Sequence, residues 1–392
     1  MSALGILTTA MNNSKLINHC IFALLILICS CNGKIDDKIK YTSSPADLTL
    51  VKTDNLVLNI DGETKRFGNL MSYSKLENRL SLYNDFNHSI YFYELPEGNL
   101  AKKVSLEREG VNGVFRVSGF YYHSKDSIFT VNQYTKRVSI LNDSGKKLEE
   151  FELFDVDDPG MPFSSSLFYH NGNVYFTVVG YKGTSKENEF KSLLIYNLKN
   201  KSKMFLIDTP VEYRGNWADR TVARYGVLIS GTSYVNSWAM GDMLVALKLE
   251  DESVIESGIQ SKNIQYPDQY KEDMRSTEKR LYYQRTNSWN IDLFYAPHQN
   301  IILRSVNIGS DIPVGEDFGS GDFLSQNGDR IFDIIELFDT ELNKIGEVSS
   351  ISFYGEIFST EKGIYIADYQ DRQDNEDIIS FGIYKTVKQS EK

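Results

Sequence analysis

Residues 167–178 read LFYHNGNVYFTV, two apolar runs joined by a tight polar turn. Short runs rich in Tyr, Phe and Val, bounded by Asn and Gly, favour extended chain and form a β-hairpin pattern. The same unit recurs as FYYHSKDSIFTV (120–131), LFYAPHQNIILR (293–304) and EIFSTEKGIYIA (356–367), with LMSYSKLENRLSLY (70–83) a looser copy. A third run follows each copy: IYFYELPEG (90–98), VSILNDSG (138–145), LLIYNLKN (193–200), IIELFDTELN (334–343) and ISFGIYKT (379–386). LVALKLED (244–251) is a further third run, after a less regular hairpin near Tyr225–Val235. A fourth strand is visible in LAKKVSL (100–106), LEEFEL (148–153) and KMFLID (203–208).

The third-run residues Tyr93, Leu141, Tyr196, Leu247, Phe338 and Tyr384 recur every ~45–55 residues, with one longer step after Leu247. One four-stranded sheet per repeat is the mark of propeller blades. The sequence therefore predicts an all-β chain, a six-bladed β-propeller over residues 51–392, with seven blades left open. The early strand Leu56–Ile60 is expected to pair with the last blade and remove the exposed sheet edges. One helix is expected, over Pro267–Arg285: Asp268 can cap it, and Tyr270, Met274 and Leu281 recur at helical spacing. It reads either as a lid or as an insertion packed on a blade.

The chain has 392 residues, 41% hydrophobic and 24% charged, with a net charge of −11. That composition excludes disorder and a polytopic membrane protein, and so acidic a balance argues against nucleic acid as partner. The one long apolar run, INHCIFALLILICS (17–30), follows Lys15 and gives way to Asn32-Gly33-Lys34. This order of charged, apolar and small-residue regions is that of a secretory signal over residues 1–30. Leu27-Ile28-Cys29-Ser30-Cys31 resembles a bacterial lipobox, which implies that Cys31 is lipidated and becomes the first mature residue. Residues 31–50 then read as a polar tether. All three cysteines, Cys20, Cys29 and Cys31, belong to this region, so the body has no disulfide, no thiol nucleophile and no Cys-ligated zinc.

Lys34-Ile35-Asp36-Asp37 is similar to the Lys/acidic signals that send lipoproteins of Bacteroidetes-type bacteria to the cell surface. A lipobox, a tether and a six-fold β-repeat ending in Phe381-Gly-Ile-Tyr-Lys385 together resemble the Bacteroidetes-type lipoproteins with a six-bladed, TolB-like propeller domain. That group is largely of unknown function. The resemblance implies an outer-membrane or cell-surface location through the lipid on Cys31, and it carries over no site residues.

In a propeller the strands of each blade run outward from the axis, here labelled A to D. The A–B turns are short in this chain, whereas the B–C and D–A connections carry the insertions. These long connections share one face, the expected binding surface. Arg214, Asn216, Trp217 and Arg220 fall in one D–A loop, Arg285 and Trp289 at the end of another, and Tyr369 and Arg372 in a B–C loop. Indole faces beside Arg and Asn suit a glycan, a peptide or a protein partner. The expected function is a monomeric, lipid-anchored, non-catalytic binding module without a cofactor.

The alternative is an envelope hydrolase or lyase, metal-dependent and lactonase-like or carboxylate-based. For it, Asn84, Asn132 and Asp368 stand at B-strand ends of neighbouring blades. Ca²⁺ is a second candidate ligand, at Asp155, Asp157 and Asp158 or at Asp371, Asp374, Glu376 and Asp377. His123, His170 and His298 fall in A–B turns of different blades and are expected to stand apart, which argues against a histidine metal site.

Overall fold

The structure is a computed structural model that describes residues 48–61, 70–153, 160–180, 191–208, 224–239, 241–258, 264, 266, 287–309, 333–349, 356–368 and 378–388. The leader with Cys31 and the helix expected over 267–285 lie outside the described residues. Every described element is a β-strand. The chain opens with β1 (Leu48–Asn59), longer than the expected closing strand and beginning inside the stretch read as tether.

Four sheets of four strands follow, each in chain order. The first holds β2 (Met71–Ser74), β3 (Arg79–Asn84), β4 (Ser89–Glu94) and β5 (Asn99–Ser105), and the second β6 (Gly119–Ser124), β7 (Ser127–Asn132), β8 (Arg137–Leu141) and β9 (Lys147–Glu152). The third holds β10 (Gly160–His170), β11 (Asn173–Gly180), β12 (Lys191–Asn197) and β13 (Lys203–Asp208), and the fourth β14 (Arg224–Ile229), β15 (Ser233–Trp238), β16 (Met243–Lys248) and β17 (Val254–Gly258).

The remaining strands are β18 (Trp289–Ala296), β19 (Ile301–Asn307), β20 (Asp333–Phe338), β21 (Lys344–Ser349), β22 (Ile357–Thr360), β23 (Gly363–Ala367) and β24 (Ile378–Lys388). With β1 they form one eight-stranded sheet, in the order β18-β19-β20-β21-β1-β24-β23-β22. This differs from separate four-stranded sheets. The joint is narrow: β1 pairs antiparallel with β24 along its whole length, but with β21 only through the parallel partners Leu48 and Gly346. A Cβ on Gly346 would lie 2.4 Å from the Leu48 carbonyl oxygen, so this approach of two backbones requires glycine.

Alternation along the strands decides which sheet packs on which, because successive side chains leave opposite faces. In β7, Ile128 packs toward the first sheet and Phe129 toward the third. Tyr175, Leu193, Tyr234 and Trp238 join the third sheet to the fourth, and Val227, Val235, Ile302 and Phe338 join the fourth to β18–β21. Leu303, Leu337, Ile357 and Ile366 carry the succession on to β22–β24. Finally Leu56, Leu58, Tyr365 and Phe381 pack against Leu80, Tyr91 and Tyr93, so the last sheet meets the first. Middle strands such as β3 and β4 are buried on both faces, whereas β5 and β9 are largely exposed. The result is a propeller-like arrangement with the least exposed chain inside and the most charged strands at the rim.

One packing surface is ionic. Arg304 on β19 and Glu336 on β20 are fully buried. Arg304 Nε donates to Glu336 Oε2 at 2.7 Å, and Lys344 Nζ on β21 donates to Glu336 Oε1 at 2.8 Å and to Glu347 Oε2 at 2.5 Å. Arg304 also reaches across to the Asp242 carbonyl at 3.3 Å, which ties β19 to the fourth sheet. Two cations and two anions thus balance in a place where either sign alone would be expensive.

Candidate functional site

The innermost strands β2, β6, β10, β14, β18 and β22 all border one cavity of about 530 Å³. It reaches the short A–B turns, where Lys75, His123, His170, Gly231 and His298 line it. Its walls are ring-rich because each hairpin copy places aromatic residues at the end of its inner strand. Tyr121 meets Phe168 edge-on at 6.1 Å between centroids, Tyr73 lies 5.7 Å from Phe358, and Phe294 and Tyr295 line the wall from β18.

Neighbouring inner strands are laced by short polar bonds. Ser72 Oγ accepts the Tyr122 N–H at 2.9 Å, and Ser74 Oγ donates to the His123 carbonyl at 2.5 Å. The Tyr73 and Tyr295 hydroxyls donate to Asn78 and Asn300, both at 3.0 Å. Each of those asparagines closes its own hairpin turn with a positive φ. Burial pushes the Tyr121 and Tyr122 hydroxyls up to about 12, so both stay protonated through the physiological range.

His123, His170 and His298 border the same cavity. The His123 ring lies 4.7 Å from that of Tyr169, and its pKa is held below the ordinary value by burial and then by His170. A Cβ on Gly231, whose φ is +74°, would fall 2.2 Å from His170 Nε2, so this turn admits the ring only with glycine there. Among the described residues no three His, Cys, Asp or Glu side chains group to hold a metal ion.

Asp292 was not among the residues singled out from sequence. It lies on β18 just after a bulge, where the pairing with β19 slips between Asn290 and Asp292. Before the bulge, Asn290 faces the fourth sheet, donating through Nδ2 to the Trp238 and Gly241 carbonyls at 2.5 and 2.9 Å. One extra residue swaps the faces: Leu293 now packs toward the fourth sheet, and Asp292 lines the cavity. Its Oδ1 accepts the Leu293 N–H at 2.8 Å. Burial raises its pKa to about 7, against the smaller opposing effect of that hydrogen bond.

A signal for it does exist in the repeat. The residue before the inner aromatic triplet is Ser166 in SSSLFYH and Ser118 in VSGFYYH, one residue further back, but an acid in NIDLFYA.

Of the residues expected on the long-loop face, Trp289 is described. It is half-buried at the start of β18, with Nε1 donating to Asn307 Oδ1 at 3.0 Å. Arg214, Asn216, Trp217, Arg220, Arg285, Tyr369 and Arg372 lie outside the described residues, as do both acidic clusters proposed for Ca²⁺. Asn84 and Asn132 do not converge on a cation. Asn84 Oδ1 accepts the N–H groups of Phe86 and Asn87, and Asn132 Oδ1 those of Tyr134 and Thr135, so both cap turns. Asp368 pairs with Lys52 at 3.4 Å. The two capped turns project aromatic rings, however. Phe86 (64% exposed), Tyr134 (61%), Val111 (86%) and Phe115 (65%) stand on the same face, with Arg116 4.8 Å from the Tyr134 ring.

No curated protein matches the chain. Solved structures that share the fold include two from Bacteroides species. One, a DUF4221 protein from Bacteroides vulgatus, has a TM-score of 0.75 at 14% identity, over 88% of this chain and all of that one. The other is a Bacteroides fragilis protein named for its expected export, with a TM-score of 0.55 at 11% identity, over 89% of this chain and 98% of that one. The family model for DUF4221, a domain of unknown function, matches residues 47–349, well over half of the sequence, and the chain therefore belongs to the DUF4221 family.

Proposed function

We propose that this protein is an exported, lipid-anchored binding module: a six-bladed propeller that holds a small organic ligand in its axial cavity without reacting with it. The observation that carries this reading is the cavity itself. Its volume of about 530 Å³ falls within the usual range for small-molecule sites, ~300–1,000 Å³, and its walls combine aromatic rings and aliphatic side chains with a smaller set of polar groups. Six blades follow if the eight-stranded sheet counts as two blades touching at Leu48 and Gly346, with β1 the outer strand of the last. The succession of packed clusters, each between two consecutive four-strand units, supports that count. Export is supported by the leader and by the naming of the Bacteroides fragilis structure. The lipid on Cys31 would place the module at the outer membrane or cell surface.

The test is a small-molecule screen by saturation-transfer NMR, with hits carried to Ser359→Phe. Ser359 lines the cavity and its buried hydroxyl has no partner among the described residues, so the substitution fills space without breaking a bond. Hits that lose tenfold or more in affinity while the variant keeps its melting temperature support an axial site. Hits indifferent to the change refute it.

A second reading rests on the exposed Phe86, Val111, Phe115 and Tyr134. They lie in B–C and D–A connections, the kind of connection to which the sequence reading also assigns Arg214, Asn216, Trp217, Arg220, Arg285, Trp289, Tyr369 and Arg372. This face would take a glycan, peptide or protein partner. Phe86→Ser with Phe115→Ser should abolish such binding and leave the axial ligand untouched.

A further inference from the structure

We propose that the axial cavity selects an organic cation: an ammonium head set against Asp292 and the surrounding ring faces. This rests on the axial-site reading above and names the ligand class. Several polar groups of the wall already have partners. Ser72 and Ser74 lace β2 to β6, and the Tyr73 and Tyr295 hydroxyls are held by turn asparagines. What the wall does offer is a carboxyl and ring faces, and the negative faces of aromatic rings attract cations.

Among the described residues the Asp292 carboxyl has no counter-charge. The groups around the cavity, among the described residues, are Lys75 and Tyr73 on the β2 side, Tyr121, Tyr122 and His123 from β6, Tyr169 and His170 from β10, and Tyr295 and His298 from β18; the lining parts of β14 and β22 supply no titratable group. None of these offsets the effect of burial on Asp292, which is opposed only by the Leu293 N–H. A bound ammonium ion would supply the missing charge. A metal ion would not suit the site, since hard cations need six or more oxygen ligands and one carboxyl beside rings provides too few.

Cation binding requires the ionised carboxyl. With its pKa raised to about 7, the acid is mostly ionised at pH 8 and mostly protonated at pH 6. Affinity should therefore fall about tenfold from pH 8 to pH 6. A neutral ligand accepting a hydrogen bond from the protonated acid would show the reverse trend.

The experiment is a calorimetric titration of the whole protein with choline and with its uncharged isostere 3,3-dimethylbutan-1-ol, at both pH values. Choline is expected to bind at least tenfold more tightly than the isostere, and more tightly at pH 8. Asp292→Asn should abolish both the preference and the pH trend, while Phe294→Leu should weaken choline more than the isostere. Equal binding of the two compounds overturns the cation assignment yet leaves an axial site standing, as does a pH trend that survives Asp292→Asn, which would belong to the histidines. If choline does not bind at about 10 mM, enough to reveal even a millimolar Kd, the assignment also falls. The Ser359→Phe screen then judges the axial site separately.

Discussion

Asp292 shows how a single side chain can serve a site at the expense of the fold. Its pKa is raised to about 7 by burial, from near 4 in an unfolded chain. The folded state therefore holds its proton more tightly, and the stability this confers is present below pH ~4 and lost as the pH rises through 7. Asp292→Asn removes the penalty of a buried charge. It should stabilise the protein at pH 8 by on the order of 2 kcal/mol, a figure discounted because Asp292 is only half-buried, and by about a third of that at pH 5. Melting temperatures of the two proteins at both pH values check this; a gain of equal size at each would mean the carboxyl is not the titrating group. His88 and His123 act in the opposite sense. Burial lowers both, so each favours the fold above about pH 6.5 and withdraws that support as the pH falls. Comparison with the variant isolates the Asp292 contribution from theirs.

At the scale of elements, the paired strands β19, β20 and β21 hold a charge network inside an otherwise apolar layer. Glu336 faces two cations, Arg304 and Lys344, and Glu347 balances the second. Glu336→Gln leaves Arg304 buried without an anion and should cost about 3–5 kcal/mol, read from urea denaturation. Replacing the pair together, Arg304→Met with Glu336→Leu, should cost much less, since no charge is then left uncompensated. If the double substitution were as damaging as the single one, packing rather than charge would be the cause. The strands themselves were legible in the sequence. LFYHNGNVYFTV forms β10 and β11 with its turn at Asn171-Gly172, and the other hairpin copies form β2–β3, β6–β7, β18–β19 and β22–β23, because short-range alternation and turn chemistry set them. The bulge at Asn290–Asp292 and the approach of Leu48 to Gly346 were not legible. Both depend on partners distant in the chain; the acid in NIDLFYA, where two other copies have Ser, marks Asp292 but not the bulge that turns it inward. The candidate site was hidden for the same reason. It is made of one or two residues from each inner strand, converging only when the sheets assemble, whereas long loops attract attention in any linear reading.

Whole-molecule stability turns on one element, because β1 comes first in sequence but lies between the strands that come last. It covers the edge of β24 along its length and delivers Leu56 and Leu58 into the cluster that joins the final strands to the first sheet. Leu58 is fully buried, so Leu58→Ala should cost about 2–5 kcal/mol, depending on how far the cavity collapses. Removing β1 altogether is a different lesion. It uncovers a long strand rich in Ile, Phe and Tyr as an edge, and it parts the first sheet from the last. A chain beginning at residue 61 should therefore lose its single cooperative transition and self-associate. A peptide of residues 48–59 supplied in trans should restore both, since a strand added to an open edge recovers the backbone pairing and the side chains that fill the cluster. Circular dichroism melts and light scattering with and without the peptide decide the matter. A truncated chain that melts as sharply as the whole protein would show that the sheets hold together without a closing strand, and that the inter-sheet clusters alone set the architecture.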